Sequence, residues 1–147
     1  MKKKLVFVFL LSLSGCYCGL LLWINKGPEI GVKQSSFRDA PVEALEINYH
    51  YSEARQYLDF KIDRRGFEKW VQEKKFEMGV DPWSGKSYDE LDHQKTVWKY
   101  NHVTSMIETI DIQEDDIWLA QRQKNGGGYT VAYIIKEGVA IYSWASH

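Results

Sequence analysis

Cysteine is nearly absent from this sequence: among 147 residues the only two are Cys16 and Cys18. Because both lie close to the amino terminus, the long remainder of the chain contains no thiol. That remainder therefore has no internal disulfide, no cysteine nucleophile and no thiolate metal site. Its fold must depend on a hydrophobic core of its own, and residues 41–147 are numerous enough to form one.

Acidic residues are absent up to Lys26, and residues 5–24 contain no charge of either sign. The sequence opens with MKKK followed by the apolar run LVFVFLLSLSG, a pattern typical of segments that direct export. By the positive-inside rule the lysines stay in the cytoplasm, so the carboxy-terminal part lies across the membrane. We therefore predict a cell-membrane protein with a single amino-terminal anchor and a domain on the extracytoplasmic side.

An excess of positive charge is also absent from the exported part. Of the 19 Lys and Arg residues, four occur up to Lys26, which leaves 15 against 20 Asp and Glu and a net charge of −5. Nucleic-acid-binding domains carry a basic surface that neutralises phosphates. We expect no nucleic acid as a partner. The predicted partners are the membrane, through residues 5–24, and an unknown protein or other envelope component.

Cys16 admits two interpretations. Residues 13–16, LSGC, resemble the bacterial lipobox, in which a cysteine after small residues is acylated and becomes the first residue of the mature chain. The chain nevertheless stays apolar through YCGLLLWI, so residues 5–24 have about the length that crosses a ~30 Å hydrocarbon core. Trp23 lies where an interfacial aromatic anchor belongs. Lipidation of Cys16 and an uncleaved spanning helix both stay open, and both tether the same domain on the same side.

Composition sets the domain boundaries. Residues 1–25 form the signal or membrane-anchor segment. Residues 26–40, which contain glycine, proline and serine without sustained periodicity, are predicted to be a tether. Residues 41–147 then form the exported domain.

The first half of this domain shows two kinds of periodicity. Short β-favouring runs with partial alternation occupy residues 44–51 and 57–63, and we predict paired strands there. Asp63 follows as a candidate N-cap. Phe67 and Trp70 begin an apolar face at helical spacing, which predicts an amphipathic helix of about three turns.

The second half is predicted from similar patterns. Ser87 and Glu90 have capping-box spacing for another short helix. In residues 95–112, a helical spacing of apolar residues favours a helix: Val103, Met106, Ile107 and Ile110. The threonines and the Val97-Trp98 pair of the same segment suit strands, so this alternative stays open. Three β-rich runs, DIWLAQRQ, GYTVAYII and VAIYSWAS, follow with glycine turns between them and indicate an antiparallel meander.

The predicted fold class is therefore α+β, after an amino-terminal membrane segment. Its antiparallel sheet combines two amino-terminal strands with a carboxy-terminal three-stranded meander, and one or two helices pack on it.

The patterns PVEALEINYHY, FKIDRRGFEKW and YTVAYIIKEGVAIYSW resemble those of small uncharacterised bacterial envelope proteins. In these proteins a signal or anchor precedes a first strand, a Phe-x-Ile strand, a Phe-x-x-Trp helix and a final hairpin. The resemblance implies a single α+β domain behind a lipobox or anchor. It implies no reaction and supplies no catalytic residues.

No motif in the sequence predicts a cofactor, a metal site or a catalytic residue. The stretch GVDPWSGKS has five residues between its outer glycines, where a phosphate loop needs four. The acidic run YDELDH lacks the spaced oxygens and the glycine of a calcium loop. A small envelope hydrolase that uses Asp, Glu and His stays an alternative if His50 meets Ser52 or Asp59, although no nucleophile-elbow pattern supports it. We favour a non-catalytic binding or accessory domain of unknown partner.

Trp83 differs from the other tryptophans because it lies in a loop, beside Pro82, outside every periodic segment. Aromatic residues in loops are frequent at binding hot spots. We predict that Pro82, Trp83 and Tyr88 form a partner-facing surface. The competing interpretation is that Trp83 packs down over the helix.

Intact-mass spectrometry of the protein extracted from membranes should separate the two interpretations of Cys16. If Cys16 is lipidated, the wild-type chain lacks residues 1–15 and carries acyl mass. The variant Cys16→Ser then leaves a precursor of higher mass, because neither acylation nor cleavage occurs. If residues 5–24 span the membrane instead, the wild-type chain keeps its full length and shows no acyl mass.

Overall fold

A computed structural model describes residues 27–91 and 94–146 of the chain. The strands and the α-helix, in chain order, are β1 (Glu29–Gln34), β2 (Leu45–Tyr51), β3 (Arg55–Lys61), α1 (Arg64–Lys74), β4 (Thr96–Asn101), β5 (Met106–Asp111), β6 (Ile117–Arg122), β7 (Gly128–Ile134) and β8 (Val139–Ala145). A short 3-10 helix lies at Tyr88–Glu90, where the sequence predicts a short helix. The predicted α+β class is wrong, because the described part of the chain is mostly β with a single α-helix.

The predicted membrane anchor, with Cys16, lies outside the described residues. Within the described ranges, no helix combines the length and the apolar character needed to cross a membrane.

Six strands form one antiparallel sheet in the order β1-β2-β3-β8-β7-β6. The pairing of β2 with β3 and the meander of β6, β7 and β8 agree with the predicted strands. Pairing of β3 with β8 joins the amino-terminal strands to the carboxy-terminal ones. At the end where the chain enters β1, one row of paired residues crosses all six strands: Glu29, Tyr51, Gln56, Trp144, Tyr129 and Gln121. We call this end of the sheet the entry end.

β1 lies within residues 26–40, the segment that the sequence predicts as a tether. It pairs with β2 and is an edge strand of the sheet. Its register shifts after Gly31, and Lys33 adopts the left-handed conformation with a φ of 50°. Beyond the strand, Phe37 stacks on Tyr49 with ring centroids 3.9 Å apart. Part of the predicted tether therefore belongs to the sheet, although most of its described residues are exposed.

α1 covers one face of the sheet. Its N-cap is Asp63, whose Oδ1 accepts a hydrogen bond from the N–H of Gly66 at 2.7 Å. Phe67 and Trp70 point into the core, and Trp70 meets Phe60 of β3 edge-to-face with ring centroids 5.1 Å apart. The predicted helix, its N-cap and its apolar face are confirmed.

β4 and β5 form a two-stranded hairpin that lies across the other face. At the start of β4, the carbonyl of Thr96 accepts a hydrogen bond from Nε1 of Trp118 on β6 at 3.0 Å. Near its end, Tyr100 stacks on His50 of β2 with ring centroids 4.2 Å apart. β4 thus crosses the sheet from β6 to β2 and packs on β7, β8 and β3 between them, whereas β5 lies outside it and is largely exposed.

The β4–β5 hairpin corrects the prediction of a helix in residues 95–112. Helical spacing requires Val103, Met106 and Ile107 to be buried, but all three are exposed. Val97 of β4 does not belong to that pattern, yet its side chain is buried in the core. The apolar spacing in this segment therefore reflects an exposed hairpin tip and not a buried helix face.

The turn of this hairpin is made by an asparagine side chain. Oδ1 of Asn101 accepts hydrogen bonds from the N–H groups of Val103 at 2.8 Å and Thr104 at 3.1 Å. Ser105 then takes the left-handed conformation with a φ of 55°. Because the turn contains neither glycine nor proline, the usual sequence indication of a hairpin is missing.

Two valine substitutions should distinguish the hairpin from the predicted helix. Val97 is 1% exposed and Val103 is 94% exposed. We expect Val97→Ala to lower the free energy of unfolding by roughly 1.5–3 kcal/mol, the cost of losing buried apolar area. Val103→Ala should change it by less than about 0.5 kcal/mol, as surface substitutions do. Urea denaturation measures the free energy of unfolding of both variants. If Val103→Ala destabilises the protein more than Val97→Ala does, the predicted helix is supported and the hairpin is contradicted.

Candidate functional site

Residues 80–87 form a tight turn beside β6, which we call the Trp83 loop. Val80 and Ser87 close it through an isolated β-bridge. Inside the turn, the N–H of Gly85 donates to the carbonyl of Asp81 at 2.8 Å. Gly85 has a φ of 71°, a conformation that glycine adopts without a steric cost. The backbone of the loop is therefore fixed by its own hydrogen bonds.

The side chain of Asp81 reinforces this turn. Its Oδ2 accepts a hydrogen bond from the N–H of Ser84 at 2.7 Å. Hydrogen bonds from Ser84, first from its hydroxyl and then from its backbone, hold the pKa of Asp81 below its ordinary value. They do so because they favour the charged form of the carboxyl group. At neutral pH the carboxylate is ionised and the turn is closed.

The three residues predicted to face a partner occupy different environments. Trp83 lies at the tip of the Trp83 loop and is 67% exposed, and Pro82 before it is half-buried. Tyr88 is only 4% exposed and packs in the core, with its hydroxyl 3.5 Å from Oδ1 of Asp81. The prediction of a surface role for Tyr88 is therefore corrected: this side chain supports the loop from beneath.

A second candidate is a polar cluster between the sheet and the β4–β5 hairpin. Leu58 and Phe60 of β3 pack on the α1 side, so Asp59 between them faces β4, where it is 6% exposed. Nδ2 of Asn48 donates to Oδ2 of Asp59 at 2.8 Å, and Nζ of Lys99 lies 3.3 Å from the same oxygen. The buried carboxylate is thus compensated by an amide and an ammonium group.

Aromatic rings extend this cluster toward the hairpin tip. Tyr100, which stacks on His50, also meets His102 edge-on with ring centroids 5.0 Å apart. Nδ1 of His50 and Nε2 of His102 are buried and have no hydrogen-bond partner among the described residues. Desolvation lowers the pKa of His102, and the charge of Asp59 opposes this shift only in part. His102 is therefore neutral at pH 7.

The hydrolase alternative requires His50 to contact a nucleophile or a carboxylate. The hydroxyl of Ser52 instead donates to the carbonyl of Arg55 at 3.0 Å and accepts from its N–H at 3.1 Å, which closes the turn between β2 and β3. Asp59 is engaged by the amide and ammonium groups described above. These side chains hold strands together, and the contacts that they make are not those of a nucleophile with its base.

Metal-ligand types do not gather into a site within the described parts of the chain. In the acidic run YDELDH, the carboxylate of Asp89 lies 2.6 Å from Nζ of Lys95. Asp92 and His93 of the same run lie outside the described residues.

A groove of about 520 Å³ opens between the β4–β5 hairpin and the turn joining β7 to β8. Asp116 at its border has both carboxylate oxygens in use. Oδ1 accepts from the N–H of Ile135 at 2.9 Å, and Oδ2 accepts from the N–H of Gln113 at 3.1 Å. This carboxylate therefore serves the turns that border the groove.

The lowered pKa of His102 predicts a pH-dependent stability. The unfolded chain takes up a proton near the ordinary pKa of 6.5, whereas the folded chain does so only at lower pH. Stability is therefore full above pH 6.5 and decreases as the pH falls through the folded pKa. Urea denaturation at pH 7.5 and pH 5.5 should show this loss in the wild type and a smaller loss in His102→Asn. Equal losses of stability in the wild type and in His102→Asn would show that His102 is not the cause of the pH dependence.

Known proteins supply no role for the residues of either candidate. No family model, no curated protein and no solved structure matches the chain. The resemblance to small bacterial envelope proteins therefore stays a prediction, and function has to be inferred from the geometry of the described residues.

Proposed function

We propose that the chain is a non-catalytic binding or accessory domain, tethered to the cell membrane by residues 5–24 on the extracytoplasmic side. Its partner is a protein or other envelope component that contacts the Trp83 loop. The observation that carries the proposal is the exposure of Trp83 on a turn whose backbone is fixed. Tryptophan is enriched among the residues that dominate binding energies.

The rigidity of the Trp83 loop supports a role in binding. An exposed tryptophan on a mobile loop loses conformational entropy when a partner orders it, which weakens the complex. Here the bridge between Val80 and Ser87 and the carboxylate of Asp81 hold the turn before any partner arrives. Tyr88 fills the core beneath it. The backbone that carries the indole is therefore ordered before binding, and a partner has to order only the side chain of Trp83.

The buried polar cluster supports the non-catalytic part of the proposal. Asp59, the buried carboxylate, is occupied by Asn48 and Lys99, and Ser52 is occupied by a turn. The contact of Asp59 with Lys99 connects the sheet to the hairpin, which accounts for the burial of this carboxylate without a reaction. A hydrolytic role would need Asp59 and Ser52 to be free for a substrate, and we do not propose one.

Removing the indole should weaken capture of the partner without affecting the fold. We expect Trp83→Ala to reduce affinity about 30-fold, because truncating a central tryptophan costs ~2 kcal/mol or more. The free energy of unfolding should change by less than about 0.5 kcal/mol. Full-length wild type and Trp83→Ala are each crosslinked to their partners in native membranes and purified. Quantitative mass spectrometry then compares the amounts of partner protein recovered with each.

Val42→Ala is the matched control, because Val42 is an almost fully exposed apolar residue outside the Trp83 loop. This variant should leave both the recovery of partner proteins and the free energy of unfolding unchanged. Equal recovery with Trp83→Ala and wild type would refute the contact. A loss of ~3–5 kcal/mol of stability in Trp83→Ala would show that the indole fills a core site instead.

A further inference from the structure

Several exposed apolar and aromatic side chains lie on one side of the molecule, around the β4–β5 hairpin and the first residues of β1. We call this surface the anchor-side patch, and its members are Ile30, Trp98, Tyr100, Val103 and Ile107. Four of the five are exposed, and Tyr100 is half-buried. Exposed apolar surface of this kind marks a contact with another protein or with a membrane.

Strand pairing places these residues next to one another. Ile30 pairs with His50, Tyr100 stacks on His50 at 4.2 Å, and Ile107 pairs with Tyr100 across the hairpin. Ile30 and Ile107 are therefore the strand partners of the two stacked residues, one on each side of the stack. Trp98 lies on the same side of β4 as Tyr100, two residues before it. The patch is therefore one continuous surface.

The anchor-side patch lies at the entry end of the sheet. Ile30 and His50 belong to a row that continues through Tyr57 and Ser143, directly beside the row that crosses all six strands from Glu29. Trp98 borders a small cavity with Ser143 of this row, which shows that β4 lies over it. The opposite end of the sheet, about 20 Å away along strands of seven residues, carries the turn between β7 and β8.

The apolar run of the sequence ends close to this surface. Residue 24 is its last member and β1 begins at Glu29, so at most about 18 Å of extended chain separates the two. A bilayer that holds residues 5–24 therefore has its surface within reach of the entry end. Tryptophan and tyrosine are enriched at membrane interfaces, and the patch contains Trp98 and Tyr100 among aliphatic residues.

We propose that the anchor-side patch lies on the lipid bilayer that holds residues 5–24. Trp98, Tyr100 and the tip of the β4–β5 hairpin then lie at the level of the lipid headgroups. This proposal rests on the membrane tether of the proposed function. It fixes the orientation of the domain, which would otherwise rotate about a short connection. β1 is the edge strand nearest the point where the chain leaves the bilayer, and the Trp83 loop beside β6 lies at the opposite edge of the sheet.

Paramagnetic relaxation of methyl groups tests the orientation. The full-length chain, with labelled isoleucine and valine methyls, is placed in phospholipid nanodiscs that carry gadolinium chelates on some headgroups. Ile107 and Ile135 make a matched pair, since they are 41% and 39% exposed and only Ile107 belongs to the patch, whereas Ile135 lies in the turn between β7 and β8. We expect the paramagnetic enhancement of methyl relaxation to be several-fold larger for Ile107 and Val103 than for Ile135. Ile30 is not decisive, because it lies near the anchor in any orientation.

Two aspartate variants provide the control. Ile107→Asp should bring the enhancement at Val103 down toward that of Ile135, because a charge in the patch disfavours contact with the interface. Ile135→Asp should leave Val103 unchanged. If the chain enters nanodiscs but Ile107 and Ile135 are enhanced equally, the patch does not contact the bilayer and only this inference fails. If the chain does not enter nanodiscs, the tether fails and this inference fails with it.

Discussion

Both faces of the six-stranded sheet are covered, and the rest of the structure depends on this constraint. A sheet enclosed on both sides needs buried residues at successive positions of its central strands, not only at alternate ones. β3 meets this need with four consecutive buried residues, Tyr57, Leu58, Asp59 and Phe60. Because one of them is a carboxylate, the hairpin layer can close only if it brings a cation, and Lys99 of β4 supplies it.

The contact at Asp59 connects more than two side chains. Asn48, which donates to Asp59, also accepts a hydrogen bond from the N–H of Lys33 at 2.9 Å. Through Asn48, Asp59 and Lys99, the strands β1, β2, β3 and β4 are joined by polar contacts. These strands include the one that follows the apolar run of the sequence and the one that carries Trp98. The anchor-side patch therefore keeps a fixed position relative to the point where the chain enters the sheet.

Local sequence patterns predict an element correctly where its apolar residues are also the buried ones. Partial alternation predicts β2 and β3, β-rich runs separated by glycine turns predict β6 to β8, and Asp63 marks the start of α1. The patterns fail for the β4–β5 hairpin, where apolar residues are exposed and the side chain of Asn101 makes the turn. They also miss β1, a short edge strand interrupted by a register shift. The exposure of Trp83 agrees with its position in a loop, whereas the contact of Asp59 with Lys99 depends on how β4 crosses the sheet, which no local pattern encodes.

β8 is the last in sequence of the eight strands within residues 27–91 and 94–146, yet it lies inside the sheet between β3 and β7. Until β8 is in place, β3 and β7 each present an open edge, and the two groups of strands have no backbone pairing within this sheet. A chain that emerges from a ribosome or a translocation channel with its amino terminus first delivers β8 after the other strands that the structure describes. The sheet therefore closes only after residues 139–145 have emerged, and synthesis interrupted before them leaves two partial sheets with edges open to aggregation.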